Sequence, residues 1–204
     1  MDFKDVIRKR RMTRNYSADP VPADTVDRIV AAGLRAPSAG NSQGLGFVIV
    51  TDPTTRGAIA DLAGEDEYVA RGFDPWISRA PVQIVITVSE KVYRDRYRET
   101  DKLGPGGEEI DWPVPYWWVD AGAALMAVLL GAVDEGLGVG FLGIHAVPDV
   151  GRLLAIPDHH TPIGLVTVGH SLPDRRSSSL DREKLPFDSV VHREIWGSGS
   201  GVSR

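Results

Sequence analysis

Between Val119 and Glu135 the chain carries Asp120-Ala121-Gly122-Ala123-Ala124-Leu125-Met126-Ala127-Val128-Leu129-Leu130, apolar on nearly every side of a helix. A helix without a polar face must be a central one, so the other elements have to wrap it. Its small residues let a second helix approach closely, from this chain or from a second subunit. Gly136-Leu137-Gly138 stops it. The longest apolar run, Ala121 to Val133, is shorter than the roughly 18 residues of a membrane span and is interrupted by Gly122 and Gly131, so no membrane partner is expected. The first residues are charged and amphipathic, with no apolar signal region, and a cytoplasmic protein is expected.

Elements of both periods surround that helix. Phe3, Val6 and Ile7 form an i, i+3, i+4 stripe, which predicts an amphipathic helix over residues 2–11. Val26, Ile29, Val30 and Leu34 repeat the pattern over residues 23–35, with Asp24 as the expected N-cap and Pro37 as the stop. Phe47-Val48-Ile49-Val50 and residues 81–88 read as strands, the second buried on both faces, with a helix over residues 54–63 between them. Residues 139–144 are glycine-rich and read as turns, 149–154 as a short helix and 163–170 as a further strand. The length suits a single domain over residues 1–196, ahead of a Gly/Ser tail over 197–204 expected to be flexible.

Two stretches depart from this pattern. Residues 89–118 are charged, contain Pro105, Pro113 and Pro115, and concentrate Tyr93, Tyr97, Trp112, Tyr116, Trp117 and Trp118. Such a segment is a lid over a site or a dimer contact, and either would use these aromatics. Arg8-Lys9-Arg10-Arg11-Met12-Thr13-Arg14 gathers positive charge in a chain of net charge -5. It is either a solvated helix face, which a helix C-terminus favours by roughly 0.3–1 kcal/mol per cation, or a local anion site with phosphate as the first guess. Beyond residue 14 the charges are mixed, whereas a nucleic-acid surface needs a long basic track; no nucleic-acid partner is expected.

Other chemistries are excluded by residue type or order. The chain has no cysteine, so thiol nucleophiles, disulfides and cysteine-bound metals are absent. His159 and His160 are adjacent while His145, His170 and His192 stand alone, a spacing poor for metal, and no metal site is expected. Gly138-Val139-Gly140 follows a helix instead of joining a strand to one, which argues against a dinucleotide fingerprint.

Four segments, read together, resemble the FMN-dependent nitroreductase family. They are Arg10-Arg11-Met12-Thr13-Arg14-Asn15-Tyr16, Ala36-Pro37-Ser38-Ala39-Gly40-Asn41-Ser42-Gln43, the glycine exit Gly136-Leu137-Gly138, and Arg182-Glu183-Lys184-Leu185-Pro186, in that family's order and across nearly the whole chain. The resemblance implies an α+β, nitroreductase-like fold with a central, mostly antiparallel sheet flanked by helices. It also implies an intertwined homodimer with FMN at the subunit interface, the arm over residues 171–196 crossing to the partner. The activity implied is that of an FMN-dependent NAD(P)H oxidoreductase, reducing an electron-poor acceptor such as a nitroaromatic or quinone by ping-pong hydride transfer. The same fold admits an FMN-sequestering protein with poor turnover, or a reduced-FMN enzyme of dehalogenase or flavin-breakdown type.

By the same resemblance Arg10, with Arg11 beside it, and Arg182 and Lys184 hold the phosphate, which gains from forked guanidinium donors. Five cations would over-neutralise one phosphate, which moves Arg14 to the flavin N1–O2 edge, where a cation favours the reduced flavin. Met12 stands where family members often carry serine, and Gly44-Leu45 replaces a common Pro-Trp pair. Pro37, Ser38, Ala39 and Asn41 match the loop that reaches the flavin from the partner subunit, with Asn41 and Gln43 supplying amide hydrogen bonds. Leu142 and Gly143 fall where a backbone N–H meets flavin N5; Gly143 is the assigned donor, and no acid or base residue is required. Tyr93, Tyr97, Trp112 and Tyr116, with Arg96, Arg98 and Lys102, are the candidate substrate contacts of the 89–118 segment.

Overall fold

The computed structural model describes residues 1–197, so residues 198–204 of the expected tail lie outside the described residues. Two compact units are present, Met1–Asp174 and a second that begins at Arg175. In the first, strands β1 (Leu45–Val50), β2 (Val82–Val88), β3 (Gly138–Gly143) and β4 (Thr161–Gly169) form one sheet in the order β1-β2-β4-β3. Every neighbouring pair is antiparallel, as the α+β expectation requires.

Helices cover both faces of that sheet, which is why β2 is buried at every position. On one face lie α1 (Phe3–Lys9), α2 (Ala23–Gly33) and α7 (Tyr116–Asp134); Ile84, Ile86, Val166 and Val168 pack there with Ile29, Val128 and Leu129. On the other lie α3 (Pro53–Leu62), α4 (Glu65–Ala70), α5 (Trp76–Arg79) and α8 (Val150–Leu153), where Val85, Leu142 and Leu165 meet Ile59, Trp76, Ile77 and Val150. Buried Glu65 ties α4 to α5 by accepting hydrogen bonds from the Ile77 and Ser78 amides and the Ser78 hydroxyl. Helix α6 (Glu90–Tyr97) follows β2 directly. The second unit contains α9 (Phe187–Val190) and exposes Leu185, Phe187, Ile195 and Trp196.

Several sequence expectations are corrected. Residues 139–144 are not turns, because β3 pairs with β4 at all of its positions from Gly138 to Gly143. Its glycines erase the alternation that marks a strand, and they are there because neighbours come too close for a side chain. A Cβ at Gly140 would lie 2.7 Å from the Thr13 carbonyl oxygen and 3.0 Å from the Trp76 ring. Asp24 is not the N-cap of α2; that place belongs to Pro22, and Asp24 instead accepts from Arg28 one turn on, at 2.8 Å. In α1 only Val6 is buried, while Phe3 and Ile7 are exposed.

The irregular stretch contracts to residues 98–115, since Ser89 caps α6 by accepting the Val92 N–H. That helix escapes the periodicity reading because it buries only Tyr93 and is held by Glu90–Arg94 and Lys91–Asp95 pairs. Helices α4 and α5 are too short to show a period. The central helix begins at Tyr116, earlier than expected; its 19 residues are long and apolar enough to cross a membrane by length and composition. Within this unit it is packed against α2, β2 and β3, with Trp118, Val119 and Met126 left exposed.

Two glycine substitutions separate steric need from helix propensity. Gly140→Ala is expected to lower the urea midpoint by the equivalent of about 1–3 kcal/mol, because backbone has to move. Gly57→Ala, inside α3 with nothing within 4 Å of the added carbon, is expected to raise stability by about 0.5–1 kcal/mol.

Candidate functional site

Helix α1 ends at Arg10, which caps it with its own N–H on the Val6 carbonyl at 3.0 Å. The chain then runs beside β3, pairing Met12 with Val139 in a parallel bridge and donating the Thr13 N–H to the Val139 carbonyl at 2.8 Å. Gly138 and Gly140 make room for it; a Cβ at Gly138 would meet the Thr13 side chain at 3.0 Å. Buried Tyr16 fixes the far end, its hydroxyl donating to the Thr13 carbonyl at 3.0 Å and lying 2.9 Å from Thr167 Oγ1. Burial pushes the Tyr16 phenol well above its ordinary range. Met12 packs against the core cluster that contains Val139 and Val168, so this position fills space where a serine would offer a hydroxyl.

Extended backbone sends alternate side chains to opposite sides. Arg11 and Thr13 line a cavity of about 210 Å3 with Lys9, Leu137, Gly138 and Ser171, and neither Arg10 nor Arg14 reaches it. The Arg14 amide donates to Asp174 at 2.6 Å, and its guanidinium carbon lies 6.0 Å from the Phe73 ring centre and 5.9 Å from that of Trp76. Among the described residues no carboxylate pairs with the side chain of Arg10, Arg11 or Arg14, although Arg28, Arg94, Arg96 and Arg98 all pair with acids. Guanidinium groups without a carboxylate partner on an acidic chain are suited to an anion.

The 38–44 loop is the second component. Ala39–Asn41 is a single 3-10 turn, and Gly40, Asn41 and Gln43 have φ of 61°, 56° and 58°, the left-handed region. Ser38 Oγ accepts the Gln43 N–H at 2.9 Å, and Ser42 Oγ donates to the Ala39 carbonyl at 2.6 Å. Asn41 and Gln43 are exposed, and their side-chain amides make no hydrogen bond among the described residues. Pro37 is exposed, while Ser38 and Ala39 are half-buried.

The third component is the end of β3. Leu142 is buried in the core, leaving only its backbone for a ligand, and Gly143 pairs with Gly164. A Cβ at Gly143 would stand 2.9 Å from the His145 ring. Arg182 and Lys184 belong to the second unit, where both are exposed.

Tyr93 is corrected as a substrate contact: it is fully buried and donates its hydroxyl to Asp120 at 2.8 Å. Tyr97 and Trp112 stack edge-on at 4.6 Å, and Trp112 donates to Glu109, which also accepts from Arg94 and Arg98. Lys102 lies 5.9 Å from the Tyr97 ring centre, so these groups hold one another; of the four aromatics only Tyr116 is exposed. Asp120 was missed by sequence reasoning, yet it had a signal. It is the one charged residue of α7 before Asp134, and a carboxylate in an apolar helix requires partners.

Residues 7–170 match the sequence profile described as Nitroreductase family. The chain is 30% identical over 194 residues to "FMN reductase [NAD(P)H]" of Bacillus subtilis, covering 91% of this chain and 71% of that one. Its fold is similar to a nitroreductase family protein of Streptococcus pneumoniae, at 22% identity with TM-score 0.72, over 94% of this chain and 100% of that one. It is also similar to the NADPH:FMN oxidoreductase of Vibrio harveyi solved with NAD+, at 22% identity with TM-score 0.71, over 96% and 78% of the two chains.

Burial, and next the Asp120 bond, raise the Tyr93 phenol above its ordinary value of 10.0. A raised phenol contributes stability that is present below pH 10.0 and is lost as pH rises beyond it. Phenolate absorbance of the folded protein should therefore step up near pH 10.0 with the same amplitude in Tyr93→Phe as in the unaltered chain. A smaller step in the variant would show that Tyr93 ionises without unfolding.

Proposed function

The chain belongs to the nitroreductase family, and on that premise we propose that it is an FMN-dependent NAD(P)H oxidoreductase that reduces an electron-poor acceptor, nitroaromatic or quinone-like. The observation that supports this is a set of two arginines, Arg10 and Arg14, on a segment fixed along β3, whose side chains pair with no carboxylate among the described residues. A phosphate dianion fits that set, because forked guanidinium donors lose little by leaving water for a doubly charged oxyanion. When bound, FMN supplies the chemistry by taking a hydride from NAD(P)H and passing the electrons to the acceptor.

The residues of the chain bind, orient and stabilise. Arg10 would hold the phosphate, while Arg11 turns to the other side of the segment, and Arg182 and Lys184 are expected at a phosphate from their motif alone. Arg14, steadied by Phe73 and Trp76, would place positive charge at the N1–O2 edge, where negative charge accumulates on reduction. The amides of Asn41 and Gln43 and the backbone of residues 37–39 would contact the ring system, and the Gly143 N–H would donate to N5. With no acid or base needed at the reacting atom, both partners can use one pocket in turn, which is ping-pong behaviour. Trp118, Val119 and Met126 form an exposed apolar stripe on α7, which supports a homodimer.

Purified protein should gain flavin absorbance on incubation with FMN, and NAD(P)H should then drive acceptor reduction with parallel initial-rate lines. Protein that takes up no FMN contradicts the proposal, and bound flavin that NAD(P)H does not bleach reduces it to a binding function. Arg10→Ala should weaken FMN binding by roughly ten- to hundredfold, the loss of a charge-assisted contact of about 1.5–3 kcal/mol.

A further inference from the structure

The left-handed conformations at Asn41 and Gln43 are unfavourable for residues with a side chain, so the surroundings must hold them. The groups that do so come from α6 and α7. Asp120 Oδ2, buried in α7, accepts the Ala39 N–H at 2.7 Å and the Tyr93 hydroxyl at 2.8 Å. Arg96 Nε donates to the Gly40 carbonyl at 3.0 Å, while its two other nitrogens each bond Asp101 at 2.7 Å, which keeps the guanidinium from swinging away. Arg96 in turn pulls the Asp101 carboxyl down to about 2, so that pair persists through neutral pH. The Tyr97 ring fills the space a Cβ at position 40 would need, 2.6 Å away. The Ser89 N–H closes the loop by donating to the Gly44 carbonyl at 2.8 Å.

A lid over substrate would present its side chains to a cleft and be tied loosely to what lies below. Here Tyr93 is wholly buried and Arg96 spends every nitrogen on the loop or on Asp101 and Glu99. The geometry points to a brace: Tyr93, Arg96 and Tyr97 of α6, with Asp120, are positioning residues that hold the 38–44 loop in its ligand-binding conformation. This rests on the proposed FMN site for what the loop binds, but the bracing itself is a property of the chain alone. Substitutions in the brace therefore change cofactor affinity and leave acceptor recognition in place.

Two measurements on the full chain test it. In Arg96→Ala without added ligand, hydrogen exchange of the Ala39–Gly44 amides should rise at least about tenfold, the loss of a charged hydrogen bond, while the amides of β2 keep their protection. With FMN, the same variant should bind the flavin about tenfold more weakly, with acceptor KM at saturating FMN unchanged, and Arg96→Lys should recover most of the loss through its remaining donor to the Gly40 carbonyl. Tyr93→Phe supplies a second variant, which should loosen the same amides to a smaller degree. Unchanged exchange at Ala39–Gly44 in both variants overturns the brace whether or not FMN binds. Altered acceptor KM with unchanged FMN affinity overturns it in favour of a lid. Failure of the unaltered chain to bind FMN removes the proposed function but leaves the exchange result to decide the brace.

Discussion

The basic segment can lie along the sheet only because the strand it meets has no side chain at Gly138 or Gly140. With β3 bare on that side, Met12 pairs with Val139 and Thr13 reaches its carbonyl. The alternation of an extended chain then sends Arg11 toward one side of the segment, away from Arg10 and Arg14. Tyr16 locks this arrangement from beneath through Thr13 and Thr167. The course of the segment, and with it the side to which each arginine turns, therefore follows from two absent side chains.

The same density of glycine explains where the sequence was hard to read. Strands β1, β2 and β4 announce themselves through runs of β-branched residues, whereas β3 alternates glycine with apolar residues and looks like a string of turns. The central helix was plain from its composition, but its first turn was hidden by Pro113 and Pro115 and by the aromatics that precede Val119. For the proposed site, Arg10, Arg14 and the 36–43 loop can be nominated from the sequence because their order along the chain is a motif. Asp120 and Arg96 were not, because each acts on a loop far away in sequence, and only the packing of α6 and α7 brings them to it.

Electrostatics divides the arginines into two populations. Those of α6 and its C-cap are spent within the protein, Arg94 and Arg98 sharing Glu109 and Arg96 chelating Asp101. Those of the 10–14 segment make no side-chain ion pair among the described residues, although Asp174 accepts the Arg14 backbone N–H, and this leaves their guanidinium groups open to a ligand. Trp76 sits between the two needs, packed in the core and close enough to Arg14 to steady its guanidinium without neutralising it.

The segment along β3 and the braced loop are proposed to bind one FMN. A crystal structure of the protein grown with FMN tests it most directly. The phosphate is expected within hydrogen-bonding distance of Arg10, and the ring system in contact with Arg14 and with residues 38–43 of one of the subunits. A flavin bound elsewhere, with Arg10 and Arg14 left in solvent, would contradict it.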